Sequence, residues 1–141
     1  MEFIPFYAKF PKIATHEGCV FKVNNSPEGL SDGEYIAVEM YCSDDTCDCR
    51  KVMLNMISVS QQKLFAIIGY GWESLAYYRE WMHGDRKMSR MMKGIYIEPC
   101  GMQLEYNFFF LKKIKELIAN NSEVTTMIKR HYALFKGKLP K

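Results

Sequence analysis

From Glu34 to Cys42 the chain alternates without a break, with Ile36, Val38, Met40 and Cys42 on one side and Tyr35, Ala37, Glu39 and Tyr41 on the other. A period of two belongs to a strand, so this stretch predicts a half-buried strand. Val52 to Val59 and Lys63 to Tyr70 read as two more, joined by Ser60-Gln61-Gln62, and Leu64 to Ile68 is apolar enough to be covered on both faces. Cys19 to Val23 is short and β-branched enough to add a fourth strand. Upstream, Phe3 to Phe10 is dense in aromatics and predicts a short helix or packed arm, which Pro11 should keep from continuing. Asn24 to Gly33 is the most turn-rich stretch and reads as a surface loop within one domain.

Beyond Tyr70 the period changes to that of helices. Ser74 can cap a helix carrying Leu75, Tyr78 and Met82 on one stripe and ending at His83-Gly84. Met88 to Ile97 fits neither period. A longer helix is expected from Met102 to Ala119 with Leu104, Phe108, Leu111 and Ile118 inward, and Asn120-Asn121 as its stop. A last helix should start at Asn121 or Ser122 and end before Gly137, burying Val124, Met127, Ile128, His131 and Phe135. Strands first and helices after them predict an α+β domain spanning 1–141. It is an antiparallel meander of three to four strands, covered on one face by two to three C-terminal helices.

At 141 residues and 48% hydrophobic, the chain can bury a core without disulfides. The start Met1-Glu2-Phe3-Ile4-Pro5 has neither a basic leader nor an apolar h-region, and no apolar run is long enough for a membrane helix, so a cytoplasmic protein is expected. In that reducing compartment the odd set Cys19, Cys42, Cys47, Cys49 and Cys100 reads as thiols or metal ligands. The net charge of +3 is uneven: residues 112–141 hold eight basic and two acidic side chains, against eleven and fourteen in the remainder. A basic end can meet nucleic acid, but Tyr132 and Phe135 fall on the inward stripe, so an unknown protein partner is favoured over nucleic acid.

The chemistry concentrates in Cys42-Ser-Asp-Asp-Thr-Cys47-Asp-Cys49-Arg50. Residues flanking a hairpin turn face one another, and two cysteines separated by one residue in extended backbone point the same way, so Cys42, Cys47 and Cys49 can share one ion. Three thiols suit zinc. Direct pairing of Cys42 with Cys47 would put the inward face of the next strand on odd positions, whereas Val52, Leu54 and Met56 are even, so a bulge between Cys49 and Val52 is expected. Asp44, Asp45 and Asp48 crowd negative charge about the thiols, which Arg50 and Lys51 offset.

For the fourth position His131 is the first choice, because the last helix aims it inward; His16 is second, with Cys100 and Cys19 as further candidates. His83 reads as a helix-terminal cation beside Gly84. Gly69-Tyr70-Gly71-Trp72-Glu73 lacks the spacing and lysine of a phosphate loop; its glycines read as a sharp strand-to-helix turn, with Trp72 plugging the sheet end. Glu73 is a candidate acid or base should it face the metal, and Met88, Met91 and Met92 a candidate contact surface.

Glu39-x-Tyr41-Cys42, Cys47-Asp-Cys49-Arg50-x-Val52, Tyr70-Gly-Trp-Glu73 and His131-Tyr132-x-x-Phe135-Lys136, in that order, resemble an uncharacterised family of small prokaryotic proteins. The resemblance implies no activity and marks His131 and Trp72-Glu73 as positions to watch; Glu98-Pro-Cys100-Gly is less typical of it. The reading is a structural zinc site in a small binding or adaptor module. The competing reading is a metalloenzyme or thiol-redox protein whose fourth position holds water. No set of nucleophile, base and oxyanion donors is evident, so no catalytic residue is assigned.

Overall fold

The computed structural model describes residues 2–97 and 104–138. The chain opens with strand β1 (Phe3–Pro5), then helices α1 (Phe6–Lys9) and α2 (Pro11–His16), so the aromatic arm is both strand and helix. The helix of that arm stops at Lys9, with Phe10 out of helical conformation before Pro11 as expected, and Pro11 then opens α2 in its first turn, where a missing N–H costs no hydrogen bond. Strands β2 (Cys19–Val23), β3 (Gly33–Cys42), β4 (Lys51–Ser58) and β5 (Leu64–Gly71) follow, then α3 (Leu75–Trp81), α4 (Arg86–Met92), β6 (Gly94–Ile97), α5 (Asn107–Asn120) and α6 (Ser122–Phe135).

The expected meander is present as β3-β4-β5, and the architecture is α+β. The sheet is wider than expected. Short β6 adds to β5 and accounts, with α4, for the stretch that fitted neither period. At the other edge, β1 and β2 share β3 as partner: β1 pairs residues 40–42 and β2 pairs residues 33–37. Among the described residues Val38 and Glu39 therefore have no strand partner on that side, and α1 and α2 lie between β1 and β2 in the chain.

β3 and β4 pair in one unbroken register, Tyr35 opposite Ser58 through Met40 opposite Met53. Extended two further residues, it sets Cys42 level with Lys51, so an eight-residue excursion separates the strands. Odd positions of β3 then share a face with even positions of β4 without the bulge expected after Cys49. Left-handed Arg50 (φ 49°) returns the chain instead. The register shift that does occur lies between β4 and β5 at Met56/Ile57.

The covered face is Tyr35, Ala37, Glu39 and Tyr41 with Val52, Leu54, Met56 and Ser58, and Ala66, Ile68 and Tyr70 behind them, all buried. α5 and α6 supply Phe110, Ile114, Ile128, Tyr132, Leu134 and Phe135 against it. On the opposite face Ile36, Val38, Met40, Ile57 and Ile67 are only half-buried. Burying the covered face releases on the order of 25 cal/mol per Å² of apolar surface, and this holds the helices on the sheet.

The helices follow the expected period, but α5 is rotated from the expected phase. Its buried stripe is Asn107, Phe110 and Ile114, and Phe108 is 78% exposed. Ser74 caps α3 by accepting the Tyr77 N–H (3.1 Å), and Asn121 caps α6 through Glu123 N–H (3.1 Å). Gly69 and Gly71 lie within β5, where close approach and not a turn requires them. A Cβ on Gly71 would stand 2.1 Å from the Met92 carbonyl oxygen, and one on Gly69 2.5 Å from the Tyr96 ring.

Candidate metal centre

The excursion between β3 and β4 is a preformed loop. Asp44 starts it: its Oδ1 accepts from Thr46 N–H (2.9 Å) and Thr46 Oγ1 (2.7 Å), and its carbonyl accepts Cys47 N–H (3.0 Å). That turn reverses the chain and directs Cys47 back toward the end of β3. The ligand atoms of Cys42, Cys47 and Cys49 all lie within 4.8 Å of one another, close enough to hold a metal ion together. Cys42 and Cys49 are fully buried and Cys47 is half-buried.

Three tyrosines, none legible as part of the site from sequence, hold the loop. Tyr77 donates to the Asp48 carbonyl, Tyr78 to the Arg50 carbonyl (2.7 Å) and Tyr132 to Asp48 Oδ1 (2.7 Å), while the Tyr132 hydroxyl accepts Arg50 N–H (3.2 Å). α3 and α6 thus grip the segment that carries Cys47 and Cys49. Arg50 closes the surface, donating to Asp48 Oδ2 (3.0 and 3.1 Å) and to Glu73 Oε2 (2.8 Å). Glu73 is therefore spent on Arg50. Burial opposes the charge of Asp48, but the hydrogen bonds of Arg50, Tyr132 and Lys138 outweigh it and hold its carboxyl far below the usual range. Trp72 packs edge-on against Tyr132 at 5.1 Å, at the sheet end as its aromatic character suggested.

The thiols themselves are pushed the other way. Burial raises Cys49 to about 12, with the neighbouring Cys47 charge adding to it, and burial likewise raises Cys47. Two backbone donors oppose this: Cys49 N–H toward Cys47 and Lys51 N–H toward Cys49. Donors aimed at sulfur favour thiolate, and a divalent cation would supply the remaining charge compensation. An ion entering here would displace protons from Cys47 and Cys49, where burial favours the neutral thiol.

His131, expected to complete the tetrahedron, is placed elsewhere. The β3 alternation turns Glu39 and Tyr41 toward α6, and both imidazole nitrogens are taken: Nδ1 by Glu39 Oε1 (2.8 Å) and Nε2 by Glu17 Oε1 (2.9 Å). An imidazolium donates from both nitrogens, which matches two carboxylate acceptors facing the ring. Burial acts against that charge, yet the hydrogen bonds and charges of Glu39 and Glu17 prevail and raise the pKa. Phe6 stacks on the ring at 4.1 Å and 9°. Cys19, His16 and His83 also stand apart from the three thiols, and Cys100 lies outside the described residues. Met92 is buried and Met88 and Met91 half-buried, so the methionine cluster is only partly available as a surface.

Among the described residues, no helix is long and apolar enough to cross a membrane. No family model matches the chain, and no curated protein or solved structure is significantly similar to it.

Proposed function

We propose that this chain is a small binding or adaptor module whose β3–β4 loop is fixed by zinc held by Cys42, Cys47 and Cys49. The observation that carries the reading is the convergence of three sulfurs within 4.8 Å on a loop already braced by three tyrosines. Thiolate ligands select soft or borderline metals over magnesium or calcium, and zinc suits a redox-inert structural role. A protein partner is favoured over nucleic acid, because Tyr132 and Phe135 are 4% and 3% exposed and cannot stack on bases. The half-buried face of Ile36, Val38, Met40, Ile57 and Ile67 is the apolar surface such a partner would meet.

A second reading, a metalloenzyme or thiol-redox protein, is favoured by one observation: three donors converge among the described residues, which leaves a tetrahedral ion one position short. Three thiolates make a bound water a weak acid, which argues for structure over hydrolysis. Cobalt substitution separates the two. A structural site leaves the cobalt bands unmoved by azide; bands that shift without loss of metal would replace the adaptor reading with the enzymatic one.

A further inference from the structure

The three thiols differ in what holds them. Cys49 lies between Asp48 and Arg50, whose backbone groups are fixed: Tyr77 donates to the Asp48 carbonyl, Tyr78 to the Arg50 carbonyl (2.7 Å), and Arg50 N–H to the Tyr132 hydroxyl (3.2 Å). Cys42 is fully buried and ends β3, opposite Phe3 of β1. Cys47 is the half-buried one, and it closes a turn whose Asp44, Asp45 and Thr46 are exposed. The bonds within that turn, from Thr46 N–H to Asp44 Oδ1 (2.9 Å) and from Cys47 N–H to the Asp44 carbonyl (3.0 Å), compete with water and open more readily than the buried tyrosine clamp.

A small oxidant in solvent therefore meets Cys47 first. Its sulfur lies within 4.8 Å of both others. A disulfide needs its sulfurs about 2 Å apart, so one of them must move, and Cys47 is the one whose backbone can. A bridge to Cys49 would have to bend Asp48, the single residue between them, whose carbonyl and carboxylate are held by Tyr77 and Tyr132. A bridge to Cys42 bends only the exposed turn.

We propose that the three-thiol centre is a peroxide-sensitive switch in which Cys47 is oxidised first and Cys42 resolves it, so that zinc leaves as a Cys42–Cys47 disulfide forms. The switch rests on the zinc reading of this site and adds its regulation. Zinc holds its cysteines as thiolates, the nucleophilic form of sulfur. The Cys47 thiolate attacks one oxygen of hydrogen peroxide; the O–O bond breaks, hydroxide leaves with the bonding pair, and Cys47 becomes a sulfenic acid. The Cys42 thiolate then attacks that sulfur, the S–O bond breaks, and a second hydroxide departs. Two thiolates are thus oxidised to one disulfide, and one peroxide is reduced to two hydroxides, which take protons from the buffer to become water. Cys49 alone offers one of the four ligands zinc takes, so the ion is released and the β3–β4 loop loses what fixes it.

The test uses the full chain, reduced, loaded with zinc alone and then freed of reductant. Its metal is measured before and after hydrogen peroxide in small molar excess, and the surviving thiols are alkylated and mapped by mass spectrometry. Zinc release is expected in step with a Cys42–Cys47 peptide pair, two thiols lost for each ion, while Cys49 and Cys19 remain free to be alkylated. Dithiothreitol and zinc should restore the starting state. Cys19→Ser, a change apart from the thiol cluster, should respond as wild type does. A disulfide that includes any cysteine besides Cys42 and Cys47, a link between two chains, a sulfinic acid that dithiothreitol does not reverse, or zinc retained up to millimolar peroxide overturns the switch and leaves the zinc reading in place. A chain that takes up no zinc before peroxide is added overturns the zinc reading and the switch with it.

Discussion

Replacing His131 with leucine removes the cation from between two carboxylates while keeping a similar buried volume. Its side chain is fully buried and that of Glu39 is 6% exposed, so the variant leaves Glu39 as a buried charge with only the Tyr41 hydroxyl to answer it. Breaking a buried pair from one side costs about 3–5 kcal/mol. Glu17 adds little, since its side chain is 35% exposed, screened by water and still paired with Arg130. Loss of the Phe6 stack belongs to the same range, at about 0.5–1.5 kcal/mol. For a chain of this length the sum should lower the melting temperature by roughly 10–20 °C. Glu39→Gln in the same chain should restore part of that loss, because the stranded charge is gone. The assay is thermal unfolding with zinc measured on the same samples. Metal content should not change, because His131 bonds carboxylates and not thiols. A loss below about 1 kcal/mol, or zinc released from a folded His131→Leu protein, would refute the placement of this residue.

The raised pKa of His131 also sets a pH dependence: the stabilisation is fully present below the unfolded value near 6.5 and lost as pH rises through the higher folded value. Urea unfolding of wild type should therefore show a falling limb above about pH 6.5 that His131→Gln lacks; identical profiles would contradict the ion pair. Removing zinc with a chelator should lower the melting temperature by about 10 °C or more, given about 4 kcal/mol from mass action at a thousandfold excess over Kd. Zinc uptake should release protons and weaken as pH falls, because burial keeps Cys49 and Cys47 protonated; calorimetry in buffers of different ionisation enthalpy reads this directly, and pH-independent uptake would argue against thiolate ligation. Gly71→Ala should cost about 1–3 kcal/mol, since the new Cβ meets backbone at Met92 that cannot swing away; a stability within error of wild type would contradict that packing.

What was legible in sequence was local. The meander and the α3, α5 and α6 helices follow from periods of two and 3.6 sustained over a turn or more, and Cys42, Cys47 and Cys49 from spacing within eight residues. β1 and β6, at three and four residues, are too short to show a period, and tertiary pairing alone makes them strands. The phase of α5 was missed because Phe108, Phe109 and Phe110 are chemically equivalent in a run, and only the position of Asn107 against Ile67 N–H fixes which one turns inward. The Glu39–His131 and Glu17–His131 contacts span 92 and 114 residues. An inward histidine can be read from the helix stripe but the carboxylates it meets cannot, so the stripe alone suggests a metal ligand where the fold supplies an ion pair. The tyrosine clamp is hidden in the same way: Tyr78 and Tyr132 fall on inward helix stripes, and only the folded loop shows their hydroxyls, with that of Tyr77, on Asp48 and Arg50.

The central claim rests on the three sulfurs holding an ion, and metal content tests it most directly. Protein purified under reducing conditions without added metal should carry close to one zinc ion per chain, and Cys49→Ser should lose most of it while His131→Leu keeps it. Metal-free wild type that is fully folded and fails to take up zinc, or Cys49→Ser with undiminished zinc, would contradict the account.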